Sequence, residues 1–283
     1  STFTLGNDAY SLGKRAAIDA YGAGAGINDP LRISKSTFTG DAEGSCGNSG
    51  SGISMIYADN SYLSIDDVTI SDNGYGIFLS QSSGEVLNSD VTVNCAAIDT
   101  KGFKQTGSIK HTLDINDNVL TTTSGAGITA YDQARVSAYR NTISGAEQAS
   151  GVAIRSSVVE LQSNNIGPIG GFNGIWIYGT SDVTAIGNTI TDVGKEPVVH
   201  GEYHYQDSGW PSVAPTESRL YMADNVIENN AGTCNSVKMY GGDFQCPAIH
   251  IFRASATLYN NTVKNNVGDA LRIKGSIVNV QNN

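Results

Sequence analysis

Three short runs carry the side chains best suited to chemistry: "IWIY" (175–178), "IHIF" (249–252) and "LRIK" (271–274). In each, apolar residues alternate with Trp176 and Tyr178, His250 and Phe252, or Arg272 and Lys274. A strand would bury one set and present the other. A histidine beside two cations has the parts needed to take a proton from the carbon next to a carboxylate. The imidazole is the base, and the positive charge stabilises the enolate-like intermediate. His250, Arg272 and Lys274 are therefore the catalytic candidates. Trp176, Tyr178, Tyr131, Phe252 and Trp210 offer flat apolar faces to a pyranose ring, and Arg155 offers a ligand for its carboxylate or sulfate. Glycoside hydrolysis would instead need two carboxylates about 5–10 Å apart. Asp99, Asp132 and Glu202 are scattered along the chain and form no such pair by spacing. Any repetitive β-protein also exposes rows of such side chains without using them, so the reading depends on the elements that align them.

Those elements recur. Taking the Asn of "GNTI" as position zero, equivalents fall at Ser1, Ser36, Val68, Val91, Asn118, Asn141, Asn164, Asn188, Asn225, Asn261 and Asn283. The shortest spacings cluster at 22 to 24 residues, and the longer ones are that unit plus an insertion. A period of this length indicates a solenoid. Five and three residues before zero stand apolar pairs such as Leu63/Ile65, Leu113/Ile115, Val159/Leu161 and Val183/Ala185. Two residues after zero stand Phe38, Ile70, Leu120, Ile143, Ile166, Ile190 and Ile227. Only the Val91 repeat breaks step, with Val86 and Asn88 in the leading places. This is period-two alternation on both sides of a fixed point, the mark of half-buried strands. A third strand precedes them in each repeat, as in "GIFL", "GITAY" and "GVAIR". Each turn thus carries three strands, and stacking turns at roughly 4.8 Å pairs every strand with its copies above and below. At the bend between the second and third strands an inward Asn, with both a donor and an acceptor, can bond to the Asn of the next turn. We expect that ladder to be continuous from Asn118 to Asn283.

The pattern "G-[IV]-x-[IL] … V-x-A/L-x-x-N-x-[IV]" resembles the right-handed parallel β-helix repeat of the pectate-lyase-like superfamily, over almost the whole chain. The resemblance implies an all-β, single-stranded solenoid and, in enzymes of that superfamily, a substrate lying across the outer face of the first strand of each turn. It does not choose among the functions the fold hosts. By alternation Thr129, Tyr131, Arg155, Trp176, Tyr178, His250, Phe252, Arg272 and Lys274 belong to that face. The orientation of His200 is uncertain by one residue. Residues 7–22 carry helix-compatible spacing and are expected to form a short inserted helix or cap. Both ends fall within a turn, so we expect one β-helix domain over 1–283 that is a segment of a longer chain.

Bulk properties narrow the partners. The net charge of −10 argues against nucleic acid, since a row of phosphates needs cations. No apolar run is long enough to span a membrane. Charged residues make up 16%, leaving 25 Asn and 33 Gly, with Ser and Thr, to cover the surface and turns. Four cysteines allow three pairings; Cys234 and Cys246 bracket a single polar stretch and are expected to pair, Cys46 and Cys95 are the two that then remain, and the sequence leaves open whether those two are joined. Such bridges imply an oxidising setting, outside the cell or at its surface. "SIDDVTISDNG" and "LDINDN" are acidic enough to suit calcium but lack a calcium-loop spacing, and no metal or cofactor is expected. The expectation is a non-catalytic scaffold or adhesin module with carbohydrate affinity on the outer face, its partner a polysaccharide or cell-surface glycan. The alternative is an extracellular polysaccharide lyase or related carbohydrate-active enzyme acting on acidic polysaccharide.

Overall fold

A computed structural model of the chain describes residues 1–4, 16–24, 26, 28–40, 46, 54–102, 112–146, 148–201, 218–230 and 246–283. The candidates Trp210, Glu202 and Cys234 lie outside the described residues. Among the described residues every pairing between strands is parallel, and strands pair with their equivalents one turn away. First strands, from Ala16–Tyr21 to Leu271–Lys274, form one sheet, of ten described strands; second and third strands share another, of eighteen described strands. The chain is a parallel β-helix, all-β among the described residues.

Alternation does what the sequence implies. Ile77, Ile98, Ile128, Val152, Ile175 and Val198 are register partners up the first-strand stack, each fully or almost fully buried. Ile70, Val91, Leu120, Ile143, Ile166 and Ile190 do the same in the third strands. Each buried aliphatic side chain contributes about 1.5–3 kcal/mol, and only stacking removes it from water.

The Asn ladder is continuous from Asn118 to Asn283. Nδ2 of Asn118, Asn141, Asn164, Asn188, Asn225 and Asn261 each donates to Oδ1 of the next, at 2.8–3.0 Å. The second Nδ2 hydrogen reaches a backbone carbonyl of the preceding turn, as from Asn164 to Ala138 O at 2.9 Å. Each Oδ1 also accepts the backbone N–H of the Asn before it, as from Asn141 N to Asn164 Oδ1 at 2.9 Å. The residue immediately before the ladder position holds φ between 48° and 64° in all ten turns where it is described, from Lys35 to Asn282. That left-handed residue makes the corner sharp. Asp, Asn or Gly, the types that enter this region most readily, fill seven of the ten: Asp67, Asn88, Asp117, Gly187, Asp224, Asn260 and Asn282. The acidic turns thus supply corner residues.

Two expectations need correction. The fourth ladder position is Ser89, not Val91. Leu120 pairs with Val91 and Ile115 with Val86, and Ser89 N donates to Asn118 Oδ1 at 2.9 Å. With Ser89 at zero the apparent break in step disappears, because Val86 and Val91 take the inward places before and after the corner. The helix expected over 7–22 is not formed in its described part: Ala16–Tyr21 is a strand paired with Ser54–Asp59, and residues 7–15 lie outside the described residues. The helical spacing rested largely on alanines, which are as compatible with Ile18 and Ala20 pointing inward at period two. Cys46–Cys95 is bridged, and Cys246 is disulfide-bonded.

Two further polar stacks accompany the ladder. Ser61, Ser82, Ser157, Ser181, Ser218 and Ser276 each stand seven residues before a ladder position, at the first corner. Here a serine hydroxyl accepts the backbone N–H of the turn below, as Ser181 Oγ does from Ser157 and Ser218 Oγ from Ser181 at 3.4 and 3.3 Å. At the third corner Asn230 Nδ2 donates to Asn266 Oδ1 at 2.6 Å, and Val193 N donates to Asn230 Oδ1 at 2.8 Å.

Replacing Asn164 by Ala strands Asn141 N, Asn141 Nδ2 and Ala138 O in the interior. Urea unfolding is expected to show a loss of about 2–4 kcal/mol, well above that of a surface Asn→Ala change. A loss no larger than the surface control would show that the ladder is not what holds the corner.

Candidate functional site

Strand pairing sorts the outward side chains of the first sheet into two columns. One runs Phe78, Asp99, Thr129, Ala153, Trp176, Val199, His250 and Arg272 up successive turns; the other runs Ser80, Lys101, Tyr131, Arg155, Tyr178, Gly201, Phe252 and Lys274. Nine residues expected on this face are therefore there. His200 is not: it pairs with Ile177 and Ile251, points inward and is completely buried. The face is also less open than simple alternation implies, since Asp99, Thr129, Ala153 and Val199 are all no more than 5% exposed.

Around the middle turns the second column alternates cation and aromatic: Lys101, Tyr131, Arg155, Tyr178. The Arg155 guanidinium lies 4.8 Å from the Tyr131 ring centre and makes a 2.7 Å ion pair with Asp132. Trp176 stacks on Tyr178, centroids 4.6 Å apart and planes 28° apart, and Tyr178 meets Tyr131 edge-on at 6.2 Å. The Tyr131 hydroxyl donates to Tyr178; burial, then this partner, push the Tyr131 pKa above its ordinary value, and burial also raises that of Tyr178. Both hydroxyls stay protonated at the edge of an apolar platform.

Asp99 sits beside this stripe. Burial raises its pKa, opposed by the hydrogen bond from Thr129 Oγ1 and by the charges of Lys101 and Arg155. The structure thus draws Asp99 and Asp132, far apart in sequence, around one cation. Pairing for hydrolysis does not follow, because Asp99 is 2% exposed.

The upper turns hold the second group. His250 Nδ1 lies 3.0 Å from Glu196 Oε1, with about one fifth of each side chain open to solvent. The Phe252 ring lies 5.2 Å from that of His250. Phe252 in turn packs over Gly201, where an added Cβ would come within 2.7 Å of the ring. Arg272, one turn above His250 in the same column, is paired with Asp269 at 2.6 Å. Lys274 is exposed beside Phe252's column position. Glu196 escaped sequence reasoning because 54 residues separate it from His250 and it belongs to a turn between strands, where no periodic signal marks it. Lys195, next to it, lies 3.9 Å over the Phe172 ring.

The family model for the right-handed β-helix region matches residues 7–166. The chain belongs to that family. No curated protein matches the sequence. Among solved structures, the crystal structure of the periplasmic alginate epimerase AlgG is similar, with 15% identity and a TM-score of 0.50. The match covers 88% of this chain and 59% of that one, so the chain spans about three fifths of its length. At this identity the likeness concerns the fold.

The buried His200 has a consequence for stability. Its pKa falls from 6.5 to about 4, chiefly through burial, although its Nε2 contacts Ser255 O at 3.2 Å. The folded state therefore keeps the ring neutral while the unfolded chain takes a proton below pH 6.5. Stability is full above that pH and declines as pH falls toward 4, by roughly 3 kcal/mol in all. His200→Ile, matching Ile177 and Ile251 in the same column, is expected to flatten this acid-side slope in unfolding measured from pH 7 to 4. An unchanged slope would mean the ring is protonated in the folded protein.

Proposed function

We propose that this chain is a rigid carbohydrate-binding module of a secreted or cell-surface protein, holding an acidic polysaccharide along the outer face of its first sheet. The observation that carries this is the in-register stripe Lys101, Tyr131, Arg155, Tyr178, with Trp176 stacked on its upper end. Aromatic planes suit the apolar faces of pyranose rings, and cations between them suit the rings' carboxylates or sulfates. Successive side chains stand roughly 4.8 Å apart, so a polymer can meet the same chemistry at several turns. Phe252 extends the apolar surface upward. The structural neighbour is named for alginate, which agrees with a polysaccharide partner, though the face itself is the basis of the reading. The disulfides suit an oxidising compartment, and no helix among the described residues is long and apolar enough to cross a membrane.

A second reading, an extracellular polysaccharide lyase or related carbohydrate-active enzyme, is favoured by one further observation: the His250–Glu196 contact at 3.0 Å.

Binding is tested by calorimetry against uronic-acid, sulfated and neutral polysaccharides at several salt concentrations. Acidic chains are expected to bind more tightly, and more weakly as salt rises. Trp176→Ala is expected to weaken binding about tenfold, roughly 1.4 kcal/mol. Equal affinity for neutral and acidic chains, or no effect of the Trp176 change, would refute the reading.

A further inference from the structure

One corner of the stack is recessed. Between first and second strands, the corners at 132–134 and 179–181 have three residues each, while the corner at 156–157, between them, has two. The short corner lies back between its longer neighbours. The notch this leaves holds about 320 Å³, near the lower end of ligand-sized clefts. Ser157 and Ser181 line it, but their hydroxyls already donate to Arg155 O and Tyr178 O at 2.9 Å. Its remaining polar side chains are Gln133, Arg135, Ser156, Thr180 and Asp182, and none of these makes a hydrogen bond or ion pair among the described residues.

Elsewhere on the surface, opposite charges on neighbouring turns meet: Arg140 with Asp117, Arg155 with Asp132, Lys264 with Glu228. Arg135 and Asp182 do not meet, because Val158 is the register partner of both and stands between them. Their strands are two spacings apart, roughly 10 Å. Val158 is 38% exposed in that gap. One column of the notch therefore presents a cation, an apolar patch and an anion in line. Arg219 adjoins Asp182 on the far side, makes no ion pair with it and does not line the notch.

We propose that this notch binds a small dipolar aliphatic molecule, an ω-amino acid, with its carboxylate on Arg135, its methylene chain over Val158 and its ammonium on Asp182. A guanidinium offers a carboxylate a paired donor fork. A carboxylate only accepts and an ammonium only donates, so Asp182 selects the other end. Ser156, Thr180 and Gln133 add uncharged hydrogen-bonding groups along the recessed corner. A molecule carrying one charge satisfies only half of the column. In an α-amino acid the two charges sit side by side and cannot reach both ends. The notch belongs to the corner and the edge of the second-strand sheet, so the proposal does not rest on the polysaccharide reading.

The test is an NMR titration of the isotope-labelled chain with 6-aminohexanoate, hexanoate, hexylamine and lysine. 6-Aminohexanoate is expected to shift the backbone amide signals of Ser156, Val158 and Asp182, with an affinity that falls as salt rises. Hexanoate and hexylamine are expected to bind about fivefold more weakly, or less. Lysine, whose α-ammonium would face Arg135, is also expected to bind more weakly than 6-aminohexanoate. Arg135→Gln and Asp182→Asn should each weaken 6-aminohexanoate about fivefold or more. Arg140→Gln, at a side chain outside the notch, should leave it unchanged. No shift at the notch signals overturns the site. Hexanoate binding as tightly as 6-aminohexanoate overturns the role of Asp182, and hexylamine doing so overturns that of Arg135. Shifts that survive both notch substitutions, or that Arg140→Gln abolishes, overturn the assignment to this notch.

Discussion

Each turn of this molecule bends at three corners, and each corner carries polar groups toward the interior of the stack. The Asn corner shows how that cost is met. One side chain donates twice and accepts twice, to the turn above, the turn below and the backbone, so no group at the corner is orphaned from Asn118 upward. The left-handed residue just before it turns the chain sharply enough to aim the amide inward. A serine stack performs the simpler half of this task at the first corner, and a shorter Asn pair does so at the third. Toward the amino-terminal end the main ladder passes to Ser89, whose hydroxyl accepts from Val68 N at 3.3 Å. There the neighbouring apolar residues Val68, Ile70 and Phe38, all but fully buried, carry more of the burden.

The stack makes distance along the chain irrelevant on the outer face. Lys101 and Tyr131 are thirty residues apart in sequence yet neighbours in one column, and Glu196 reaches His250 across a longer gap. The register of Val198–Gly201 with Ile249–Phe252 holds across the long stretch of sequence between them. A surface built this way repeats at the spacing of the backbone and not of the sequence.

The two ends of the face differ in chemistry. In the middle turns Arg155 is committed to Asp132 and Tyr131, and the tyrosine hydroxyls are held protonated by burial. In the upper turns His250 and Glu196 are partly open to solvent and in direct contact. The inward His200, one column away, shows the opposite outcome for the same side-chain type: burial leaves it neutral and structural.

Periodicity in the amino-acid sequence determined the solenoid, the three strands per turn, the ladder from Asn118 to Asn283 and the membership of the outer face, because burial by stacking selects residue type at every second position. It also held the serine stack, six residues at a constant offset from the ladder. What it left open were features that depend on a single residue's place in the stack. Ser89 and Val91 are both compatible with a local corner, and only pairing with Leu120 and Asn118 separates them. The alanine-rich segment at Ala16–Tyr21 is compatible with helix or strand until Ser54–Asp59 offers it a partner. The direction of His200, the cover over Asp99 and the contact between Glu196 and His250 arise between turns. Tertiary structure alone decided them, since no local pattern records which side chain another turn brings within hydrogen-bonding reach.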